Sequence, residues 1–277
     1  MRLLIATTRK DKSCDRIMEE CGKKNVEVTR VFYEELRLHE LRPEKFREFD
    51  FCILRDPYNT GRDFSIYLRT IFRFVGSRVL DCRTYERYPF YEDKLFQHIL
   101  FRNVMKMPGF WYYNRVNEVD LIYPKIVKKR IGSRGREIFV INSGNEMRKF
   151  FGERDVTDYF FEEYIGVEKD VRVIVINNEV IGAVERRVRL KNNNGYTGIG
   201  VKVTDRYDIP EDVCKKIIAV SKTIGSDFCG IDFVVDKEGM VYLLECNLSP
   251  QFVSLEHVLG INVAERLVEF IMESCKK

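Results

Sequence analysis

The stretch from Cys229 to Pro250 constrains this chain more than any other part of it. It reads Cys-Gly-Ile-Asp-Phe-Val-Val, then Asp236-Lys237-Glu238-Gly239, then Met-Val-Tyr-Leu-Leu-Glu-Cys-Asn-Leu-Ser-Pro. Two β-rich runs around a turn-rich tetrapeptide predict a hairpin. With residues 237–240 as the loop, the numbers of paired residues sum to 477. Asp232 then faces Glu245 with Cβ atoms about 5 Å apart, and Asn247, two residues on, shares the face of Glu245. Two carboxylates and an amide oxygen converge at the open end of an otherwise apolar hairpin. Hard cations such as Mg²⁺ take oxygen ligands of this kind and are commonly shared between one or two carboxylates and nucleotide phosphates. Taken singly, each acid merely ends a strand at the surface. The three together, followed by Asn-Leu-Ser-Pro, favour a metal site.

Composition narrows the class without naming it. A chain of 277 residues has room for one large domain or two or three small ones and can bury a sizeable core. No apolar run approaches the ~20 residues of a membrane span, and the first residues read as a strand, not as a signal-peptide core. Eight cysteines without a C-x-x-C pair and only three histidines argue against a zinc site or a disulfide framework, and for a reducing cytoplasmic setting. A net charge of +4 spread along the chain is too weak to imply nucleic acid but suits an anionic ligand.

Along residues 1–88 strand signals at 3–6, 26–31, 49–54 and 79–81 alternate with helical ones at 11–21 and 63–75, which predicts a small α/β domain with a largely parallel sheet. The loop 55–62 leaves the third strand at its carboxyl end, where open α/β sheets tend to bind ligands; a plain crossover has equal weight. A helix is expected from Lys94 to about Met105, strands at 123–129, 138–141 and 159–165, and a short helix at 146–151. Residues 171–176 and 179–184 read as a hairpin about Asn177-Asn178, a dipeptide suited to positive φ. Helices follow at 211–224, stopped by Gly225, and from about Val263.

A strand ending in Lys128, a loop with Gly132 and Gly135, and a further strand make suitable apparatus for covering a triphosphate, because glycine lets backbone N–H groups approach phosphate oxygens. By itself this is weak, since Gly-bearing turns between basic strands are common. The pattern D-x(12)-E-x-N-x-S-P, however, resembles the metal-binding end of the ATP-grasp fold, in particular the RimK-like carboxylate–amine ligases. Gln251-Phe252 stands where that family usually has Gly, near the expected acceptor side.

The resemblance implies three parts: an N-terminal α/β domain (1–88), a central flap subdomain (89–159) and a C-terminal subdomain with an antiparallel sheet (160–277). It implies ATP contacts from Lys94 and Lys128 and a phosphate flap at Gly132, Ser133, Arg134 and Gly135. Glu162, Glu163, Tyr164 and Ile165 match the segment that presents main-chain groups to adenine, with Glu162 where Gln is usual. Asp170 matches an acidic ribose ligand, and Asp170-Val171-Arg172 the family's D-x-R. Arg186 corresponds to a nucleotide-contacting arginine, with Lys128 beside it as the catalytic pair. A two-residue turn at Asn177-Asn178 would instead put Arg187 on the face of Arg172 unless a bulge intervenes.

Lys191, Asn193 and Asn194 are the weakest matches, and a flexible polar loop competes there. Asp232, Glu245 and Asn247 would hold Mg²⁺ (or Mn²⁺), with two ions expected. The implied reaction phosphorylates a carboxylate with ATP, and an amine then displaces phosphate. The implied partners are small acids and amines, a carrier protein or an acidic peptide, without nucleic acid or membrane and with self-association left open. Rival readings are a nucleotide-binding module without turnover and a ligase that modifies precursor peptides.

Overall fold

The computed structural model describes residues 1–57, 61–116, 121–132, 137–193 and 196–276, with the side chains at 62 and 188–201 outside that description. The N-terminal unit runs β1 (Arg2–Thr7), α1 (Lys12–Lys23), β2 (Glu27–Phe32), β3 (Phe51–Leu54), α2 (Arg62–Val75), β4 (Arg78–Val79) and α3 (Cys82–Arg87). Its four strands are parallel in the order β2-β1-β3-β4, so the expected parallel sheet is present. Asp11 caps α1 by accepting from the N–H groups of Ser13 and Cys14, which satisfies donors that a helix start leaves open. Gly76 closes α2 with a left-handed φ of 84°.

The rest of the chain builds a second sheet. After α4 (Lys94–Phe101) come β5 (Phe110–Trp111), β6 (Lys125–Lys129), β7 (Ile138–Ile141), α5 (Gly144–Phe150) and β8 (Tyr159–Glu163). They are followed by β9 (Val167–Ile176), β10 (Glu179–Asn193), β11 (Tyr196–Arg206), α6 (Glu211–Ile224), β12 (Phe228–Asp236), β13 (Val241–Asn247), α7 (Val253–Leu259) and α8 (Val263–Lys276). The strand order is β13-β12-β9-β10-β11-β7-β6-β8-β5, with antiparallel pairing at each contact. The central and C-terminal parts therefore share one sheet, joined where β11 meets β7 at Thr197↔Val140.

Several elements differ from the sequence reading. The polar loop expected around 190–200 is instead the far end of the β10–β11 hairpin, whose Asn, Lys and Gly content hides the strand period. The helix expected to reach Met105 ends at Phe101, and a turn follows in which Val104 and Met105 both donate to the Phe101 carbonyl. The short β5 and α7 had no signal in the sequence reading.

One apolar core fills the space between the two sheets, drawing Ile5 and Ile53 from the first, Phe228 and Ile174 from the second, and Leu267 and Ile271 from α8. A second lies on the other face of the large sheet, where Val173, Phe233 and Leu243 meet Ile217 of α6 and Phe101 of α4. Among the described residues no helix is long and apolar enough to cross a membrane.

A polar joint also spans the two sheets. Asp81, with φ of 59°, accepts through one oxygen from Ser226 Oγ (2.9 Å) and from the N–H groups of Asp227 (2.6 Å) and Phe228 (3.0 Å). Its own N–H donates to Asp227 Oδ2 at 2.9 Å. Burial, and then the neighbouring Asp227 carboxylate, push the Asp81 pKa up to about 7. A carboxyl whose folded pKa is raised holds its proton longer in the folded state, so stability falls as pH rises from about 4 towards 7. Asp81→Asn keeps the accepting oxygen and removes the charge. Thermal midpoints recorded between pH 5 and 8 should fall for the wild type and stay flatter for this variant; parallel profiles would show that Asp81 is ionised throughout.

Candidate active site

Two register shifts aim the polar side chains. At the turn, β12 and β13 pair with a sum of 476 (Val235↔Val241), whereas at the open end Gly230↔Asn247 and Asp232↔Glu245 sum to 477. A bulge after Asp232 makes the difference, so the expected pairing of Asp232 with Glu245 holds although the turn itself is one out of register. The second shift lies in β10. Asn177 and Asn178 take φ of 50° and 62°, as a two-residue hairpin turn requires, and a bulge between Val180 and Gly182 follows. Beyond it Val184 pairs with Arg172 and Arg186 with Asp170, which puts Arg186, not Arg187, on the face of Arg172. A Cβ at Gly182 would stand 2.5 Å from Leu259 Cδ1, so the bulge sits where α7 packs close to the strand.

On that face the charges interlock. Arg172 binds Asp232 with two donors, Nε to Oδ1 at 2.7 Å and Nη2 to Oδ2 at 2.5 Å. Arg186 bridges Asp170 (Nε to Oδ1, 2.6 Å) and Asp232 (Nη1 to Oδ2, 3.2 Å). Asp170, expected at a ribose, is 5% exposed and held by Arg186. Burial raises the Asp170 pKa while Arg186 pulls the other way. Burial opposes the charge of Arg172, and Asp232 outweighs it, so the guanidinium is held above its ordinary value.

The helix α4 supplies the opposite wall. Positions 94, 97 and 98 share one helical face. Lys94 Nζ reaches Glu245 Oε2 at 3.2 Å and the Gly132 carbonyl at 2.8 Å. Gln97 accepts from Cys246 N–H (2.8 Å) and donates to its carbonyl (2.9 Å), which fixes the strand between Glu245 and Asn247. His98 Nε2 lies 2.7 Å from Glu162 Oε1, and the other oxygen of Glu162 is 2.5 Å from Lys128 Nζ. Burial works against ionised Glu162, and Lys128 and His98 overcome it, so its pKa is lowered. Glu163 and Tyr164 follow it, exposed, at the end of β8, with Ile165 half-buried beside them.

Glu245 is lowered to about 2: burial would raise it, but Lys94, the donated bond from Asn247, Arg172 and Lys128 together prevail. Asn247 Nδ2 donates to Glu245 Oε1 at 3.0 Å, and among the described residues nothing donates to its Oδ1. The end of β13 therefore offers one amide oxygen and one carboxylate held ionised, which is donor chemistry that suits a hard divalent cation. Asp170, Asp232 and Glu245 are matched by Arg172, Arg186 and Lys94, and Glu162 by Lys128. No three His, Cys, Asp or Glu cluster as a metal cage among the described residues.

The structure thus gathers Lys94, Lys128, Gly132, Glu162, Asp170, Arg172, Arg186, Asp232, Glu245 and Asn247 around one face of the large sheet. Ser133, Arg134, Gly135 and Asn194 lie outside the described residues, as do the side chains of Lys191 and Asn193.

Sequence reasoning missed Gln97 and His98, although their spacing from Lys94 on a helix was a usable signal. It also missed a joint beneath the loop after β3, where Arg55 binds Asp11 (Nε to Oδ2, 2.7 Å) and the Pro250 carbonyl (3.0 Å). Gln251 donates to the same Asp11 at 2.7 Å, and Asp56 N–H donates to Ser249 Oγ at 3.0 Å. The segment after Asn247 is thereby pinned to the N-terminal unit. Gly230 permits this, because a Cβ there would stand 2.7 Å from Pro250 Cβ.

Removing one member of a buried ion network leaves its partners uncompensated, at a cost of about 3–5 kcal/mol. Arg186→Met should therefore unfold at clearly lower urea concentration, and adding Asp170→Asn should recover part of the loss. If Arg186→Met unfolds with the wild type, water is compensating Asp170 and the site is more open than its geometry indicates.

A mixed fold whose large antiparallel sheet carries lysine, arginine and paired carboxylates on one face defines a nucleotide-site architecture, and the comparisons agree on its family. Residues 111–271 match the RimK-like ATP-grasp domain, and the chain belongs to that family. It is 28% identical over 156 residues to N-acetylaspartylglutamate synthase A of Homo sapiens, covering 54% of this chain and 39% of that protein. It is 28% identical over 199 residues to the alpha-aminoadipate–LysW ligase LysX of Saccharolobus solfataricus, covering 67% of this chain and 72% of that one. The chain spans about two fifths of the length of the human synthase.

Among solved structures, the ATP-grasp ligase PsnB with a phosphomimetic precursor variant, Mg and ADP superposes with a TM-score of 0.73 at 15% identity, covering 99% of this chain and 98% of that one. The fold is the ATP-grasp fold.

Proposed function

We propose that the chain is an ATP-dependent carboxylate–amine ligase that forms ADP. The observation that carries this reading is the convergence of Asp232, Glu245 and Asn247 with Lys94, Lys128 and Arg186 on one sheet face, in a chain of this family. Relatives are named as synthases and ligases, and the PsnB complex holds Mg and ADP. The division at 1–88, 89–159 and 160–277 goes with the same reading, with the nucleotide between the last two parts.

In this account Lys128 and Lys94 hold the phosphates, the glycine-bearing segment from Gly132 to Gly135 contributes backbone N–H groups to them, and Glu162 to Ile165 border the base. Asp232, Glu245 and Asn247 would hold Mg²⁺, or Mn²⁺, as one or two ions that neutralise phosphate charge. Arg186 and Arg172, which the carboxylates hold in place before substrate arrives, would stabilise the charge that develops during transfer. The γ-phosphoryl group passes to a carboxylate oxygen of the acid, and ADP leaves. The amine nitrogen then attacks the acyl carbon, loses a proton and expels inorganic phosphate. No side chain need form a covalent bond.

The human synthase and LysX are named for glutamate- and aminoadipate-containing compounds. We take an acidic amino acid as one substrate here, with a small molecule, a carrier or a protein tail as the other. The cysteines are all free, which suits a reducing cytoplasm.

With both substrates present, ATP should yield ADP and phosphate. Glu245→Ala should fold normally and lose about a thousandfold or more in rate, because it removes charge stabilisation from the transition state. Release of AMP and pyrophosphate would sink the acyl-phosphate route, and an undiminished rate in Glu245→Ala at saturating Mg²⁺ would return that residue to the solvated surface.

A further inference from the structure

A concavity lined mostly by the N-terminal unit lies away from the charge network just described. It is a groove of about 800 Å³ between α2 and α3, floored by Phe51 and Val79 and closed at one end by Phe270 of α8. Ile66, Arg69, Thr70 and Arg73 line one wall, at the i, i+3, i+4, i+7 spacing of a single helical face. Arg78 and Arg83 rise from the other side.

Four arginines stand against two lining acids, Glu86 and Asp227. The difference, 4 − 2 = +2, is half of the chain's net charge of +4 gathered into one groove. The acids do not neutralise it. Glu86 reaches Arg73 at 3.4 Å and Asp227 reaches Arg83 at 3.1 Å. Among the described residues no carboxylate pairs with Arg69, which lies 4.2 Å over the Tyr85 ring, or with Arg78. Large apolar side chains sit in the open on the same helix: Ile66 is 43%, Tyr67 51% and Phe74 73% exposed.

An isolated exposed apolar residue means little, but three on one short helix beside an arginine-rimmed groove mark a contact surface. Arginine and aromatic side chains are also the types that dominate binding energy at interfaces.

We propose that this groove docks an acidic polypeptide segment that carries an apolar side chain. Glutamates or aspartates of the segment would meet Arg69, Arg73, Arg78 and Arg83, and the apolar side chain would enter between Tyr85 and Ile66. The wall from residue 66 to residue 73 rises about 10 Å along the helix. That length suits several residues of a chain better than one small anion. Nucleic acid fits less well, because the apolar floor would go unused. The groove shares no residue with the nucleotide-site set, so docking is independent of the ligase reading and should not need ATP.

The probe is a fluorescein-labelled dodecapeptide of glutamates around a central Leu-Phe pair, followed by anisotropy without nucleotide. The wild type should bind it, more weakly as salt rises. Arg73→Glu with Arg78→Glu should lose at least ~tenfold in affinity, about 1.4 kcal/mol. Lys215→Glu with Lys216→Glu, an equal charge change on the exposed face of α6, should bind as the wild type does. Thermal midpoints of both double variants confirm folding, since all four side chains are exposed.

Equal binding by all three proteins would overturn the proposal. So would equal affinity for an all-glutamate peptide, which would make the apolar floor irrelevant, or displacement by oligouridylate of the same length at lower concentration than unlabelled peptide.

Discussion

Arg186 lies between Asp170 and Asp232, and the rest of the site is arranged around that contact. Two carboxylates and two guanidiniums on one buried sheet face stabilise little by themselves, because desolvation consumes most of the Coulombic gain. What they supply is geometry. Each arginine is held by carboxylates and each carboxylate by arginines, so the groups are fixed before any phosphate arrives. Such preorganised charge acts on a developing transition state without reorganisation at the moment of reaction. A β-bulge before Gly182 sets the register of this network, and another after Asp232 keeps Glu245 opposite Asp232. Without the bulge before Gly182, Glu185 would pair with Asp170 and Arg186 would point into the opposite core.

The walls of the site come from parts of the chain far apart in sequence, and polar joints hold them in register. Gln97 locks α4 to the backbone between Glu245 and Asn247. Arg55 and Asp11, both fully buried, fasten the segment after Asn247 to the carboxyl end of the parallel sheet. Asp81 ties the same N-terminal unit to the start of β12. Movement of the N-terminal unit would therefore be felt at the open, carboxylate-bearing end of the hairpin, which makes this unit part of the site's scaffold as well as a neighbour of it.

Much of this was legible from residues. Period-2 and helical stripes placed α2, α6 and the β12–β13 hairpin to within a residue or two, because each is bounded by a glycine or a tight turn. The pairing of Asp232 with Glu245 was legible from the hairpin, and Lys94, singled out by its motif, does reach Glu245. The bulges were not visible, since a bulge depends on what packs against the strand, as Leu259 does at Gly182. Buried partners of ligand-facing residues were also hidden. The spacing of His98 from Lys94 marks a shared helix face but does not show that Glu162 of β8 will meet it, and Arg55 finds Pro250 across 195 residues. The β10–β11 extension escaped because its polar composition mimics a loop.

The central claim is that Asp232, Glu245 and Asn247 bind a divalent cation together with nucleotide phosphates. Calorimetric titration of a non-hydrolysable ATP analogue, with and without Mg²⁺, into the wild type and Glu245→Gln tests it directly. The account predicts that Mg²⁺ tightens binding to the wild type at least ~tenfold, and that Glu245→Gln keeps the Mg²⁺-free affinity while losing most of that gain. The same Mg²⁺ dependence in both proteins would contradict it.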